Sequence, residues 1–433
     1  MATTSKRPLA LEIPEATENA LGQAQTWEGS LEDLRGLVSD RAITGETMLL
    51  NLGPHHPSTH GVLRLLLELD GEEIVTCLPD VGYLHTGIEK NIESKSYEKA
   101  VTLTDRMDYL APMSNNTVFS LAVEKLTGLD VPERAQVIRV ICLELTRLNS
   151  HLVWLGTHAM DMGAMSVFLY CFREREFILD MFEKLGGQRM MTSYIRPGGV
   201  WRDLPEDFLP ALEKFLGYFP NRIDDYEKLL TNNPIWRDRT EGIGVIEPEE
   251  AIALALSGPC LRGSGVNFDI RKAMPYSGYE NYDFNVPLGE HGDVFDRYII
   301  RVHEMRESVK IIQQAIKKLS SASGGFRSNN RKFVPPPRAE LGRSMEAVIH
   351  HFKLWTEGYS VPDEEVYVAI ESPRGEIGCY LHGTGGNKPR RVHFKTPSFM
   401  HISALGKLCS GYMLADLIGI VGSIDCVLGD SDR

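Results

Sequence analysis

Gly53-Pro-His-His-Pro-Ser-Thr-His60-Gly61 concentrates three imidazoles, two prolines and two hydroxyls in one short run. Prolines fix φ and remove backbone donors, and a glycine at each end permits tight turns. The run therefore reads as a rigid loop that presents imidazoles in set directions. Histidine is the side chain whose ordinary pKa lies near neutrality, so such a loop suits proton transfer or metal binding. A structural turn with surface histidines is an equally open reading of the same spacing.

The elements that must position this loop are legible around it. Gly45 to Gly53, Gly61 to Glu68 and Glu73 to Leu78 read as strands of a small antiparallel sheet, the last two joined by an Asp70-Gly71 turn. Helix then dominates. Asp130-Val131-Pro132 opens a long helix with Asp130 as the expected N-cap, and its apolar period runs through Val137, Ile141, Leu145, Leu148 and Leu152. Ala164 to Leu185 and Asp293 to Leu319 read as two more helices. Val366 to Ile370, Glu376 to His382 and Arg391 to Lys395 form a second small sheet, with Gly383 to Asn387 as a hairpin loop. The expected class is α+β: a mainly helical bundle with one small sheet near each end. The expected organisation is an N-terminal extension over 1–43, a β domain with the chemical loops over 44–112, a helical bundle over 113–360, and a sheet plus core helix over 361–433.

The totals exclude several functions. A net charge of −13 argues against a general nucleic-acid binder. The Met1 end lacks a basic segment followed by an apolar core, so no signal peptide is expected. The longest apolar stretch, Leu408 to Gly422, is interrupted by Asp416 and reads as a buried helix rather than a membrane span. The cysteines, Cys77, Cys142, Cys171, Cys260, Cys379, Cys409 and Cys426, include no CxxC pair. Structural zinc and iron–sulfur clusters draw on tight spacings, so neither is expected here and the thiols read as buried and reduced. There is no GxGxxG after a strand, no GxxxxGK[ST] and no GxSxG, and His303-Glu304 lacks the second histidine of HExxH. Any electron chemistry must be borrowed from another chain.

Four segments, read together and in order, resemble one family: Gly53 to Gly61, Gly82-Tyr-Leu-His-Thr-Gly-Ile-Glu-Lys90, Asp105-Arg-Met-Asp-Tyr-Leu110 and Tyr194-Ile-Arg-Pro-Gly-Gly-Val200, with Asp432-Arg433 as a matching end. The sequence from about residue 45 onward resembles the quinone-site subunits of respiratory complex I, the D-type subunits of bacterial NADH:quinone oxidoreductase. That family is in turn similar to the large subunit of nickel–iron hydrogenases, whose nickel sits on two CxxC pairs. Here Arg106 to Ala111 stands where the first pair would fall and Asp425 to Arg433 where the second would fall, with Val427 and Asp430 at ligand positions. The resemblance thus implies an erased nickel site, no metal in this chain, and a cavity that receives a quinone.

The same resemblance implies residue roles. His60 and Tyr109 map onto the two headgroup ligands and proton donors, Asp161 onto a carboxylate that pairs with the histidine, and His56 and Met107 onto the quinone-binding walls. It implies a B-type partner subunit bearing a tetranuclear iron–sulfur cluster, further contacts with the C-type subunit and the H-type membrane subunit, and a peripheral place on the cytoplasmic face of the bacterial inner membrane. His85 is expected to make a structural hydrogen bond, while Glu89, Arg106 and Asp108 could serve either a proton path or solvated ion pairs. Arg139, Glu144 and Arg147 are expected to form solvated or inter-helix ion pairs. One position departs from the family: Met191 replaces a histidine that lies near the partner's cluster. A hydrogenase-type large subunit, a quinone reductase fed by a donor other than NADH, and a non-catalytic scaffold remain alternatives.

Overall fold

The computed structural model describes residues 47–54 and 61–433. His56, His60 and the extension before Thr47 lie outside the described residues.

The first sheet orders β1 (Thr47–Leu52), β2 (Arg64–Asp70) and β3 (Glu73–Asp80), all antiparallel. β2 alternates as a half-buried strand should, with Leu65, Leu67 and Leu69 inward. The Asp70-Gly71 turn sets the β2–β3 register, and a bulge follows Glu68.

Three short-to-medium helices come next: α1 (Ile88–Glu93), α2 (Tyr97–Thr104) and α3 (Pro112–Thr127). The bundle is built from α4 (Glu133–Asp161), α5 (Met165–Gly186), α6 (Phe208–Leu230) and α8 (Val294–Leu319), with the short α7 (Gly258–Gly263) between the last two. At 1.5 Å per residue α4 is about 43 Å long, and it is buried along most of its length. Its N-cap is Pro132, not Asp130: a proline needs no amide partner, and its fixed φ leads the chain in. Asp293 does cap α8, its side chain accepting from the Asp296 amide.

After α9 (Met345–Thr356), the second sheet orders β6 (Glu365–Glu371), β7 (Glu376–His382) and β8 (Arg391–Lys395); the two-residue strands β4 (Ile195–Arg196) and β5 (Gly199–Val200) pair by themselves. The chain ends in α10 (Pro397–Ser403), α11 (Leu405–Cys409), α12 (Leu414–Ser423) and α13 (Leu428–Asp432). The stretch Leu408–Gly422 is therefore not one helix. Gly411, at φ +82°, breaks it, and Ile418 stays half exposed.

Packing joins distant segments. Leu65, Leu67, Leu69 and Ile74 of the first sheet share a core with Leu405, Leu408, Leu417 and Ile420 near the C-terminus. Ile88, Val101, Val118 and Phe119 share another with Ile370, Ile377, Cys379 and Phe394 of the second sheet. All seven cysteines are free and buried. Among the described residues no helix is long and apolar enough to cross a membrane.

Candidate functional site

Tyr109 lies in the turn between α2 and α3. Backbone bonds from the Met107 amide to Thr104 and from the Ala111 amide to Asp108 hold that turn. Met107 is fully buried in the core shared by α2, α3 and the second sheet, whereas Tyr109 is half-buried at the edge. The C-terminal segment closes over the turn. A Cβ at Gly429 would lie 2.6 Å from the Met107 carbonyl oxygen and 3.3 Å from Tyr109 Cδ1, so only glycine permits this approach. The two segments that the hydrogenase resemblance pairs, 106–111 and 425–433, do meet in space.

Arg374 fastens them together. Its guanidinium is fully buried and donates to Asp108 Oδ2 at 2.6 Å, Ser150 Oγ at 3.0 Å, the Asp425 carbonyl at 2.9 Å and Asp425 Oδ1 at 3.2 Å. Asp108 also accepts from the Leu110 amide at 3.1 Å. One cation thus serves several buried acids, and this shifts their titration. Burial pushes the Asp430 carboxyl up to about 6, with Asp108 adding to the rise and the Ser398 hydrogen bond and Arg374 opposing it. Burial likewise raises Asp108 and the Tyr109 phenol, Arg374 pulling against both. Tyr109 is therefore a neutral hydrogen-bond donor at physiological pH.

The histidine-rich loop re-enters the described chain beside this cluster. Gly61, the residue after His60, packs on Leu428: a Cβ there would lie 3.4 Å from Leu428 Cβ. Leu428 adjoins Gly429, the residue against Tyr109. Asp161 is the last residue of α4, half-buried, with Met162 as the C-cap. One face of α4 leads to it from Arg374: Ser150 holds Arg374, the Trp154 indole donates to the Gly422 carbonyl at 2.7 Å, and His158 packs on Gly422. Asp161 lies about 16 Å along the helix from Ser150.

The Gly82–Lys90 motif works as a dock for the C-terminus. Asp432 accepts from the amides of Gly82 at 2.9 Å and Leu84 at 2.7 Å, and His85 Nδ1 meets the Asp432 carbonyl at 2.6 Å. His85 thus has the structural role expected of it. Glu89 is ion-paired with Arg391 at 3.3 Å and accepts from the Phe394 amide at 2.9 Å. Arg106 is exposed, apart from the Arg374 cluster.

Arg139, Glu144 and Arg147 are buried, so the solvated alternative fails. Arg139 is paired with Glu124 at 2.5 Å, and Glu144 with Arg271 at 3.2 Å and Arg147 at 3.4 Å. Behind the site the Cys260 thiol lies 3.8 Å from His401 Nδ1 and 3.7 Å from Arg301 Nη2. Among the described residues no group of three or more His, Cys, Asp or Glu could hold a metal ion. Sequence reasoning missed Arg374, Ser150, Cys260 and His401. None sits in a recognisable motif, and only the fold brings them to the Tyr109 turn or behind it.

Comparison with known proteins places this geometry in a family. Residues 161–433 match the model for the respiratory-chain NADH dehydrogenase 49 kDa subunit. Curated relatives include a D-type subunit of the NADH-quinone oxidoreductase of Chloroflexus aurantiacus, 60% identical over 92% of this chain and 97% of the relative. The D-type subunit of Herpetosiphon aurantiacus is 60% identical over 90% of this chain and 92% of its own length. That of Citrifermentans bemidjiense is 54% identical over 90% of this chain and its full length. The chain belongs to the 49 kDa subunit family of respiratory-chain NADH dehydrogenase, the D-type subunits of the NADH-quinone oxidoreductases.

Proposed function

We propose that this chain is the subunit of a proton-translocating NADH:quinone oxidoreductase in which quinone is reduced, with Tyr109 and His60 as the headgroup ligands. The observation that carries the reading is the placement of Tyr109: a neutral, half-buried phenol beside Gly429, one residue from where the His60 loop returns at Leu428. Reducing a quinone to a quinol takes two electrons and two protons. Tyr109 would supply one proton and His60 the other, one to each carbonyl oxygen. Asp161 would pair with His60 and favour imidazolium before reduction. Arg374 would hold the turn and stabilise the phenolate left after transfer. His56 and Met107 would contribute to the cavity wall.

The electrons would come from an iron–sulfur cluster on the B-type partner subunit, and the C-type and H-type subunits would complete the surroundings. The complex would sit with this subunit on the cytoplasmic face of the inner membrane. The deciding experiment is NADH-driven quinone reduction in membranes carrying Tyr109→Phe, with an artificial acceptor at the NADH end as control. Quinone reduction should fall by about 10²-fold while the control rate holds. Unchanged quinone reduction would remove Tyr109 from the site.

A further inference from the structure

Arg297 and Arg301 lie one turn apart on α8, and both are fully buried. Burying a guanidinium is costly unless an anion or a full set of acceptors meets it. Arg297 has acceptors throughout: Nε donates to Ser423 Oγ at 2.9 Å, Nη1 to the Gly292 carbonyl at 2.8 Å and Nη2 to the Gly244 carbonyl at 2.9 Å. Arg301 is poorly served. Its Nη1 donates to the Arg297 carbonyl at 2.9 Å, its Nε has no partner, and its guanidinium lies 4.4 Å over the Trp154 ring. Among the described residues neither arginine is ion-paired with a carboxylate. The remaining partner of Arg301 is the Cys260 sulfur, 3.7 Å from Nη2.

A second donor meets the same sulfur. His401 on α10 is fully buried, and its Nε2 accepts from the Ser257 amide at 3.4 Å. The ring proton therefore sits on Nδ1, 3.8 Å from Cys260 Sγ. Two N–H donors from different helices converge on one sulfur, and an S–H would have only the Ile424 carbonyl, at 3.7 Å, to point at. Burial pushes the Cys260 thiol up, but His401, Arg301 and Arg297 outweigh it and bring it down to about 6. The neighbouring Cys426 goes the other way: burial raises it to about 12, and the charges of Asp425 and Cys260 add to the rise. Burial also raises Cys142, Cys171 and Cys379.

We propose that Cys260 is a thiolate at physiological pH, the counter-ion of Arg301, and a positioning residue for quinone reduction. The positioning role rests on Tyr109 acting on the quinone as proposed above. The arginine pair that the thiolate neutralises holds the segment leading to Asp425. Arg297 holds Ser423, and Arg301 covers Trp154, whose indole holds the Gly422 carbonyl at 2.7 Å. Asp425 follows directly, and Arg374 grips it together with Asp108 in the Tyr109 turn. Without the negative charge Arg301 must leave Trp154 or admit water, and the segment that backs Tyr109 loosens.

The purified complex is treated at a series of pH values with methyl methanethiosulfonate, a small uncharged reagent, and each cysteine is followed by peptide mass spectrometry. The thiolate attacks the reagent's sulfenyl sulfur, an S–S bond forms and methanesulfinate leaves, so the rate follows the thiolate population. The rate at Cys260 should level off above about pH 7, while that at Cys142 climbs about tenfold per pH unit throughout. A climb at Cys260 parallel to that at Cys142 would overturn the thiolate. In membranes, Cys260→Ser should cut NADH-driven quinone reduction about tenfold with the artificial-acceptor rate held, and Cys260→Asp, which restores the charge, should recover most of it. A serine variant as active as wild type, or an aspartate variant no better than the serine variant, would overturn the positioning role. The labelling needs no quinone chemistry. It therefore decides the thiolate even where Tyr109→Phe leaves quinone reduction intact and the quinone-site reading itself fails.

Discussion

Arg374 donates to Asp108 at 2.6 Å across 266 residues of sequence, and that bond ties the Tyr109 turn to the second sheet. Both groups are buried, and the same guanidinium also holds Asp425. Arg374→Leu should leave two buried carboxylates uncompensated and cost about 3–5 kcal/mol. Arg374→Lys keeps the charge but loses the fork that reaches both acids. It should fold, with quinone reduction impaired and the artificial-acceptor rate retained. Denaturant melts of the separate chain and membrane assays of both rates separate the two effects.

Gly429→Ala addresses the closure over Tyr109. The added methyl would meet the Met107 carbonyl at 2.6 Å. The C-terminal helix must then shift away from the turn, at a cost of about 1–3 kcal/mol. Quinone reduction should fall with it, because Tyr109 loses its backing. A wild-type rate with wild-type stability would show that α13 does not position Tyr109.

Asp430 gives stability a definite pH dependence. Its folded carboxyl is raised to about 6, above the usual value near 3.8. The folded state therefore holds the proton more tightly than the unfolded state between those values. Stability is greatest below about 4 as far as this group is concerned, and falls as pH rises through 6. The full effect is about 3 kcal/mol. Asp430→Asn should remove it, raising the melting temperature at pH 8 relative to pH 5. A variant that follows the wild-type profile would assign the pH dependence elsewhere.

Met191 bears on the neighbouring cluster proposed above. It precedes β4 with a left-handed φ of 54°, in a run where Ser193 is also left-handed at 44°. A thioether neither titrates nor donates a hydrogen bond. The cluster on the partner should therefore have a lower and less pH-dependent potential than in relatives with histidine there, which suits a low-potential quinone such as menaquinone. Redox titrations at several pH values, on wild type and Met191→His, check this. The histidine variant should show a higher potential and a steeper slope; a steep slope already present in the wild type would sink the idea.

Much of the framework is legible in the sequence because it rests on local physics. Period-two alternation with Asp70-Gly71 marks the first hairpin, helical periodicity marks α4, α5 and α8, and strand propensity marks the second sheet. The start of α4 is not legible, because Asp130 and Pro132 both favour helix starts and only the backbone path decides between them. The buried stretch near the C-terminus reads as one helix because apolar composition outweighs Gly411. Tyr109, too, can be singled out from its motif. Its surroundings cannot. Arg374 stands alone in the sequence, 266 residues from Asp108 and 224 from Ser150, and Gly429 shows no local sign that a carbonyl lies against it. Ion pairs between remote segments are fixed by how the helices and the second sheet pack. The sequence by itself determined the family, the elements and the phenol. The tertiary structure decided which buried charges hold that phenol and which cysteine meets a buried arginine, because both depend on contacts between segments that no local pattern encodes.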